Sequence, residues 1–271
     1  MLRCADVHLV DTHCHLDQAY FPEGAAAAMA RAREAGVTGF VVVGVGADLG
    51  AARAAVELAH ADPARVAAAV GVHPHDARML GGPIALSELE ALARRPEVVM
   101  VGEIGLDFHY DHSPRAVQRE VFSALIDLAR RVNKPICVHT REAPEETLDI
   151  LAREGAREVG GIIHCFSEDR AFASRALDLG FDLSFSGIVT FKNARGVADV
   201  AAWAPLDRVH VETDSPYLAP VPFRGKPCEP AHVLHTARRV AELRGIPLEE
   251  LARATVANVE RRLGRAFSST V

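Results

Sequence analysis

The stretch Val7-His-Leu-Val-Asp-Thr-His-Cys-His15, near the start of the chain, is the starting point for predicting both the fold and the site. Its apolar first residues are typical of a β-strand, and His13 and His15 follow directly. Side chains alternate between the two faces of a strand, so these histidines point the same way. Two adjacent imidazoles suit a borderline-soft divalent metal. His-X-His alone is a weak motif, because one buried and one solvated histidine give the same pattern.

The pattern of a short apolar strand followed by a helical segment recurs along the chain. Strands are predicted at 7–10, 39–45, 65–72, 98–104, 135–139, 160–164, 181–186 and 208–213. Helices are predicted at 24–35, 48–60, 86–95, 114–132, 143–154, 169–179 and 195–203, with two or more after residue 229. Such alternation implies parallel strands joined by right-handed crossovers. Eight units predict an α/β fold, a single (β/α)8 TIM barrel of the metal-dependent hydrolase type over residues 1–271.

The composition narrows the class of protein. The chain has 271 residues, 49% of them hydrophobic and 24% charged, so it can bury a full core. The net charge of −6 argues against a protein that coats DNA nonspecifically. It is compatible with an enzyme that has a local cationic rim. No apolar segment approaches the length of a membrane span, and we expect no membrane association.

The cysteines indicate a reducing environment. They are odd in number and include no C-x-x-C pair: Cys4, Cys14, Cys137, Cys165 and Cys228. A disulfide framework or a structural zinc site is therefore not expected. The N-terminus has no basic segment followed by an apolar signal core. These features predict a soluble, cytoplasmic protein, which we expect to be a monomer.

Metal-binding side chains collect at the predicted C-terminal ends of the strands, where barrels of this kind carry their active sites. They are His13 and His15 on the first strand, Glu103 on the fourth, His139 on the fifth, His164 on the sixth and Asp214 after the eighth. Histidines scattered through a core would not favour one end of the strands. Six nitrogen and oxygen ligands are more than one tetrahedral ion can bind. Their number matches two divalent metals, about 3.5–4 Å apart, that share a carboxylate.

Two of these residues are predicted to be catalytic. Glu103 is the natural bridge between the metals, because a carboxylate has two oxygens to share. Asp214 is expected to hold one metal and to take a proton from the attacking water. Asp11 and Glu212 lie on ligand-bearing faces and are expected to support the ligands. This donor set accepts zinc, manganese, magnesium or nickel.

Seven stretches between residues 11 and 230 stand in a characteristic order. They are Asp11-Thr-His-Cys-His15, Gly71-Val-His-Pro-His75, Gly102-Glu-Ile-Gly-Leu-Asp107, His139-Thr-Arg-Glu-Ala143, His164-Cys-Phe-Ser167, Glu212-Thr-Asp-Ser-Pro-Tyr-Leu218, and Arg224-Gly-Lys226 with Glu229-Pro230. Together they resemble the TatD family of metal-dependent deoxyribonucleases, which belongs to the amidohydrolase-like barrels. The resemblance covers most of the chain and implies the same fold.

The resemblance also implies a division of the ligands. His13, His15, Glu103 and Asp214 would surround one metal, and Glu103, His139 and His164 the other. Exonuclease action is a further expectation from the family. One departure is Cys228, where the family usually has asparagine, which concerns a polar contact of that loop rather than the metal ligands.

Several side chains around the predicted ligands are candidates for phosphate contacts: His73, Arg141, Lys192, Arg224 and Lys226. Aromatic residues make up only 6% of the chain, which argues against a long stacking track. We therefore expect a site that takes DNA strand ends or short oligonucleotides. The predicted function is a metal-dependent phosphodiester hydrolase acting on DNA, a TatD-like deoxyribonuclease that uses a water activated by two metals.

Other activities use the same kind of site. Two metals activate water against carbonyl groups as well, so a D-aminoacyl-tRNA deacylase or another ester or amide hydrolase is the alternative. Hydrolases whose metals are bridged by a carboxylated lysine are disfavoured, because Lys134, Lys192 and Lys226 do not end a predicted strand in the right place. A barrel that only binds nucleic acid is disfavoured by the complete ligand set and the lack of a basic stripe.

Overall fold

The computed structural model describes residues 7–268, which form an eight-stranded parallel sheet with helices between the strands. Each strand pairs with the next one in the chain, from the first to the eighth. This arrangement confirms the predicted (β/α)8 barrel. The strands are β1 (Leu9–Cys14), β2 (Val37–Gly44), β3 (Val66–Val70), β4 (Val98–Asp107), β5 (Ile136–Arg141), β6 (Gly161–Ile163), β7 (Phe181–Phe185) and β8 (Val209–Val211).

Helices connect the strands and pack against them. Each of the first seven follows one strand and leads the chain back to the start of the next. Two more follow β8, separated at Gly245, whose φ of 66° ends the first of them in a left-handed cap. The helices are α1 (Ala25–Glu34), α2 (Gly50–Ala61), α3 (Leu86–Ala93), α4 (Arg115–Val132), α5 (Pro144–Arg153), α6 (Arg170–Asp178), α7 (Arg195–Trp203), α8 (Val233–Arg244) and α9 (Leu248–Leu263).

Some expectations concern residues outside this range. The prediction of a single domain over residues 1–271 extends beyond the described residues at both ends and stays a prediction. Cys4 also lies outside them. Within them, Cys14, Cys137, Cys165 and Cys228 are free thiols. No helix between residues 7 and 268 is long and apolar enough to cross a membrane.

Three strands extend beyond their predicted ends. β1 continues past Val10 to Cys14, β4 past Ile104 to Asp107, and β5 past His139 to Arg141. Every residue of β1 and β4 is buried, including the polar ones. Their polar side chains meet other polar groups inside the barrel, so the backbone stays in the sheet although the apolar pattern has ended. The eighth strand is shorter than predicted, because regular pairing with β7 ends at Val211.

The barrel closes through the residues that follow β8. The Asp214 N–H donates to the carbonyl of His13 at 2.9 Å, and the His15 N–H donates to the carbonyl of Ser215 at 2.8 Å. The Asp11 carboxylate accepts the Thr213 N–H at 2.9 Å and the Thr213 hydroxyl at 2.5 Å. We call this junction, residues 11–15 against 213–215, the seam. It places two predicted metal-binding segments side by side.

The opposite end of the barrel is filled by the C-terminal part of the chain. Val259, Leu263 and Phe267 pack with strand residues such as Val41 and Ala67. A buried polar cluster lies nearby, centred on Asp182 of β7. Its carboxylate pairs with four cationic or imidazole side chains: Arg208, His210, Arg261 and Arg262. This end of the barrel is therefore tied to α9 by charge as well as by apolar contacts.

Candidate metal centre

Glu103 lies at the centre of a cluster of histidines, and its two carboxylate oxygens face different members. Oε2 lies 3.4 Å from His13 Nε2 and 3.9 Å from His15 Nε2. Oε1 lies 2.8 Å from His139 Nδ1 and 2.7 Å from His164 Nε2. The Glu103 side chain is only 4% exposed. The structure thus brings together residues from four strands around one buried carboxylate.

Asp214 joins the His13 and His15 side of this cluster. Its Oδ1 lies 3.7 Å from Nε2 of both histidines. Its φ of 57° is in the left-handed region that favours glycine, and the N–H bond to His13 holds it there. Burial raises the pKa of Asp214 to about 8; Glu103 and Glu212 repel its charge and His164 opposes them. In the protein without metal this carboxyl therefore holds a proton readily.

Two glycines let β4 approach β5 closely enough for Glu103 to meet His139. A Cβ at Gly102 would stand 2.5 Å from the Cβ of Cys137. A Cβ at Gly105, whose φ is 148°, would overlap the carbonyl of His139. Any larger residue at either position would push the two strands apart. The packing of β4 on β5 therefore requires both glycines of the Gly-Glu-Ile-Gly stretch.

His73, predicted as a phosphate contact, lies directly beside the histidine cluster. Its Nε2 is 3.4 Å from Oε1 of Glu103, and its ring centroid is 4.7 Å from that of His139. Among the residues that the structure describes, His73, Glu103 and His139 form one of three groups whose possible ligand atoms lie within 4.8 Å of one another. Burial lowers the pKa of His73 to about 4, so the ring is neutral. Its Nδ1 accepts the His75 N–H at 3.1 Å, which leaves the proton on Nε2, the nitrogen that faces Glu103.

Each histidine of the cluster is held by a second polar contact on its other ring nitrogen. His15 Nδ1 lies 3.1 Å from the carbonyl of Val43, and His139 Nε2 lies 3.2 Å from Oδ2 of Asp107. His164 Nδ1 lies 3.2 Å from Oε1 of Glu212. Such contacts fix the tautomer and direct the remaining nitrogen toward the centre. Glu212, which we expected to support a metal ligand, thus contacts His164.

Asp107 was not among the predicted site residues. Besides His139, its Oδ2 meets Nε2 of His75 at 3.0 Å, and it also accepts the N–H groups of His109 and Tyr110. It is 1% exposed. These partners hold the pKa of its carboxyl well below its usual range although burial opposes them. The signal was present in Gly102-Glu-Ile-Gly-Leu-Asp107, since an acidic residue with buried strand neighbours needs partners.

The donor set fits divalent cations. Burial lowers the pKa of His13 to about 4, with the charge of His164 adding to this, so His13 is neutral. Burial also acts to lower the pKa of His164, but Glu103 and Glu212 outweigh it and raise that pKa well above its usual value. The protein without metal thus collects protons on histidines that face buried carboxylates. Cations bound at such a site replace those protons.

The predicted phosphate contacts other than His73 lie further out. Arg141 ends β5 and is exposed, with its guanidinium carbon 4.7 Å from the centroid of the Tyr110 ring. The guanidinium carbon of Arg224 lies 4.0 Å from the centroid of the Phe191 ring, and Lys192 is the residue after Phe191. Lys192, Arg224 and Lys226 are exposed, and the structure gives them no contact with the histidine cluster among the described residues. Cys228, the departure from the family pattern, is buried.

Comparison with known proteins decides the family. A sequence model described as TatD related DNase matches residues 10–264. The chain belongs to the TatD family. It is 41% identical over 253 residues to YabD of Bacillus subtilis, an uncharacterized metal-dependent hydrolase, covering 93% of this chain and 98% of that one. It is 49% identical over 191 residues to YcfH of Escherichia coli K12, also an uncharacterized metal-dependent hydrolase, covering 70% and 71% of the two chains.

Solved structures agree with this assignment. YJJV, a TatD homologue from Escherichia coli K12, has a TM-score of 0.85 at 27% identity and covers 97% of this chain and all of its own. An organophosphorus hydrolase variant from Deinococcus radiodurans has a TM-score of 0.58 at 19% identity, which shows a shared fold alone. The protein is therefore a metal-dependent hydrolase of the TatD family with a TIM-barrel fold.

Proposed function

We propose that this TatD-family protein is a deoxyribonuclease that hydrolyses phosphodiester bonds at DNA strand ends or in short oligonucleotides, as an exonuclease. The observation that carries the proposal is the division of the Glu103 carboxylate, with one oxygen toward His13 and His15 and the other toward His139 and His164. That arrangement suits two cations that share Glu103. The family description as a DNase supports a nucleic-acid substrate.

The proposed ligands divide as the resemblance implies. His13, His15, Glu103 and Asp214 would hold one cation, and Glu103, His139 and His164 the other. Two divalent cations, when bound, supply positive charge that stabilises the attacking and departing oxygens of a phosphodiester. His73, whose Nε2 lies 3.4 Å from Oε1 of Glu103, is placed to donate a hydrogen bond to a phosphate oxygen.

Asp214 has the features of the proton acceptor. It is the most solvent-accessible carboxylate of the cluster, with a side chain 13% exposed against 4% for Glu103. Its position at the seam leaves it open to the mouth of the barrel, where a water and a substrate can approach. We propose that Asp214 takes the proton of the attacking water. Arg141 at the rim would hold an outer phosphate by paired hydrogen bonds.

The test is hydrolysis of end-labelled single-stranded DNA by protein stripped of metal and then supplied in turn with magnesium, manganese, zinc or nickel. Glu103→Ala is the critical variant, because both cations would lose a ligand. Glu158→Ala, at an exposed glutamate that pairs with Arg130 away from the cluster, is the matched control. We expect metal-dependent shortening by the native protein and by Glu158→Ala, and none by Glu103→Ala.

The products also distinguish the alternative. A ladder that shortens from one end supports exonuclease action, whereas internal fragments would refute it. If metal-loaded protein leaves DNA intact but releases the amino acid from D-aminoacyl-tRNA, the site hydrolyses esters and the nuclease proposal is wrong. Cleavage by Glu103→Ala with two metals bound would contradict the bridging role.

A further inference from the structure

The three tyrosines of the chain lie on loops at the face of the barrel that carries the metal centre. Tyr20 follows β1, Tyr110 follows β4 and Tyr217 follows β8. They are 48%, 51% and 49% exposed. Within residues 7–268, the other exposed large apolar side chain is Val221, which also follows β8. All four of these side chains therefore follow strands whose C-terminal ends carry the proposed ligands.

Tyr20 and Tyr217 form a fixed pair across the seam. Their hydroxyl oxygens are 2.7 Å apart, and their rings meet edge to face with centroids separated by 5.8 Å. The Tyr217 ring centroid is 6.4 Å from that of His15. The Tyr217 N–H donates to the carbonyl of Asp214 at 2.9 Å. The pair is therefore held in place directly beside two of the proposed ligands.

The ring of Tyr110 is already occupied by protein groups. The Arg141 guanidinium lies 4.7 Å from its centroid, and the His112 ring stacks parallel to it at 5.5 Å. His75 and His109 meet it edge to face. The ring contacts of Tyr20 and Tyr217 in the described chain are limited to each other and His15. The pair thus offers the aromatic surface that remains open.

We propose that the Tyr20–Tyr217 pair is a stacking surface for the nucleobase next to the phosphate that is cut. The inference rests on the proposed function, and it specifies the substrate as nucleic acid whose base beside the scissile phosphate has a free face. A base inside a duplex has both faces covered by its neighbours and cannot present one to a tyrosine. Stacking on an aromatic side chain is tolerant of base identity, so we expect little sequence preference.

A purely structural role predicts different behaviour. If the pair serves only to join the loops after β1 and β8, removing either hydroxyl breaks the join. Tyr217→Phe and Tyr20→Phe would then both be defective, although each keeps its ring. If the ring surface stacks a base, the two phenylalanine variants retain function and Tyr217→Ala loses it. The phenylalanine variants are therefore the matched controls.

The experiment compares single-stranded oligonucleotides that carry either a natural base or an abasic residue at the terminal positions, the abasic residue being placed at each end in turn. For the native protein we expect the abasic residue at the cleaved end to lower kcat/KM about tenfold. Tyr217→Ala should lose a similar factor on the natural oligonucleotide, mainly through KM, and nothing further on the abasic one. Metal content is measured for each variant and should be unchanged.

Equal losses on both oligonucleotides in Tyr217→Ala, or a loss in Tyr217→Phe as large as in Tyr217→Ala, would overturn the stacking role while leaving the nuclease proposal intact. If the native protein cuts neither oligonucleotide, the nuclease proposal fails, and calorimetric binding of thymidine 5′-monophosphate decides the stacking role. Affinity about tenfold weaker in Tyr217→Ala, with inorganic phosphate bound as before, would support it. Equal affinity for the monophosphate would refute it.

Discussion

Glu103 and Asp214 are both buried carboxylates in one cluster, yet their surroundings give them opposite properties. Burial acts to raise the pKa of Glu103, but His164, His73 and the hydrogen bonds from His13 and His139 outweigh it and hold that pKa well below its usual range. Asp214 lacks comparable donors, and its pKa rises to about 8. Two carboxyl groups whose pKa values are shifted in opposite directions by their environments suit different tasks. Glu103 suits a permanent ligand, and Asp214 suits proton transfer.

This difference leads to a prediction for Asp214→Asn. The amide keeps the size of the side chain and one oxygen, but it cannot take a proton. We expect kcat to fall by about 10²–10⁴-fold and KM to change only a few-fold, measured on a labelled oligonucleotide at saturating metal. A rise in KM with kcat preserved would show that Asp214 binds the substrate instead. Metal content, measured on the same preparation, separates loss of chemistry from loss of a cation.

Metal affinity should depend on pH because the ligands hold protons in the stripped protein. The pKa values of His139 and His164 are raised by their carboxylate partners although burial opposes this, so both rings stay protonated above the usual pKa of 6.5. A cation must displace those protons, and affinity therefore rises with pH until the rings are neutral. Calorimetry in buffers of different ionisation enthalpy counts the protons released.

Asp107→Asn provides the matched comparison for that measurement. It removes the charge that faces Nε2 of His139 and leaves the Glu103 contact in place. We expect fewer protons to be released on metal binding and the affinity to fall about 10–100-fold. An affinity that does not change with pH in the native protein would show that the histidines are neutral before the metal arrives.

At the scale of elements, the Asp182 cluster joins β7, β8 and α9 at the end of the barrel opposite the metal centre. The Arg262 guanidinium donates to both Asp182 oxygens, at 2.7 and 3.0 Å, and Nε2 of His210 meets Oδ2 at 3.0 Å. Asp182 itself is inaccessible to solvent. Removing this one charge would leave several cationic groups facing one another. The attachment of α9 therefore depends strongly on a single side chain.

Asp182→Asn should accordingly lower the free energy of unfolding by about 3–5 kcal/mol, the usual effect of breaking a buried charge network. Denaturant unfolding followed by circular dichroism measures this. The pKa of Asp182 is depressed, because its partners outweigh the effect of burial. Its contribution is thus fully present above the usual pKa of 3.8 and is lost as the pH falls below it.

The exposed pair Arg175 and Glu145 is the control, since both side chains are largely in solvent. Glu145→Gln should change stability by less than about 1 kcal/mol. If Asp182→Asn costs no more than Glu145→Gln, the cluster adds nothing to the attachment of α9.

The elements also show what the sequence could predict. Apolar segments between helical ones located all eight strands, because hydropathy and period are local properties. The ends of β1 and β4 were placed too early, because their last residues are polar and buried only in the assembled barrel. Contacts between distant segments, such as Asp107 with His139 and Tyr20 with Tyr217, could not be predicted from spacing. Those contacts depend on how strands and loops are arranged around the barrel.

At the scale of the whole molecule, the metal centre and the closure of the barrel are the same structure. The seam joins residues 11–15 to residues 213–215. His13 and His15 lie on one side of it and Asp214 on the other, and all three belong to one proposed cation site. A cation there would cross-link the first and last strands. A cation bound there would add to the hydrogen bonds that close the barrel.

Removing the metal should therefore loosen the seam before the rest of the barrel. A ligand that binds only the folded state stabilises it by about 2.7 kcal/mol at a concentration one hundred times its Kd, so stripping should also lower Tm. We expect the amides of His15 and Asp214, which donate across the seam, to exchange hydrogen faster in the stripped protein. The Val101 amide, which donates to Pro135 between β4 and β5, should be unaffected. Glu103→Ala supplied with metal should exchange faster at the seam than the native protein, because the cation site there loses one of its four proposed ligands. A uniform change in exchange would mean that the metal stabilises the barrel as a whole and that the seam closes without it.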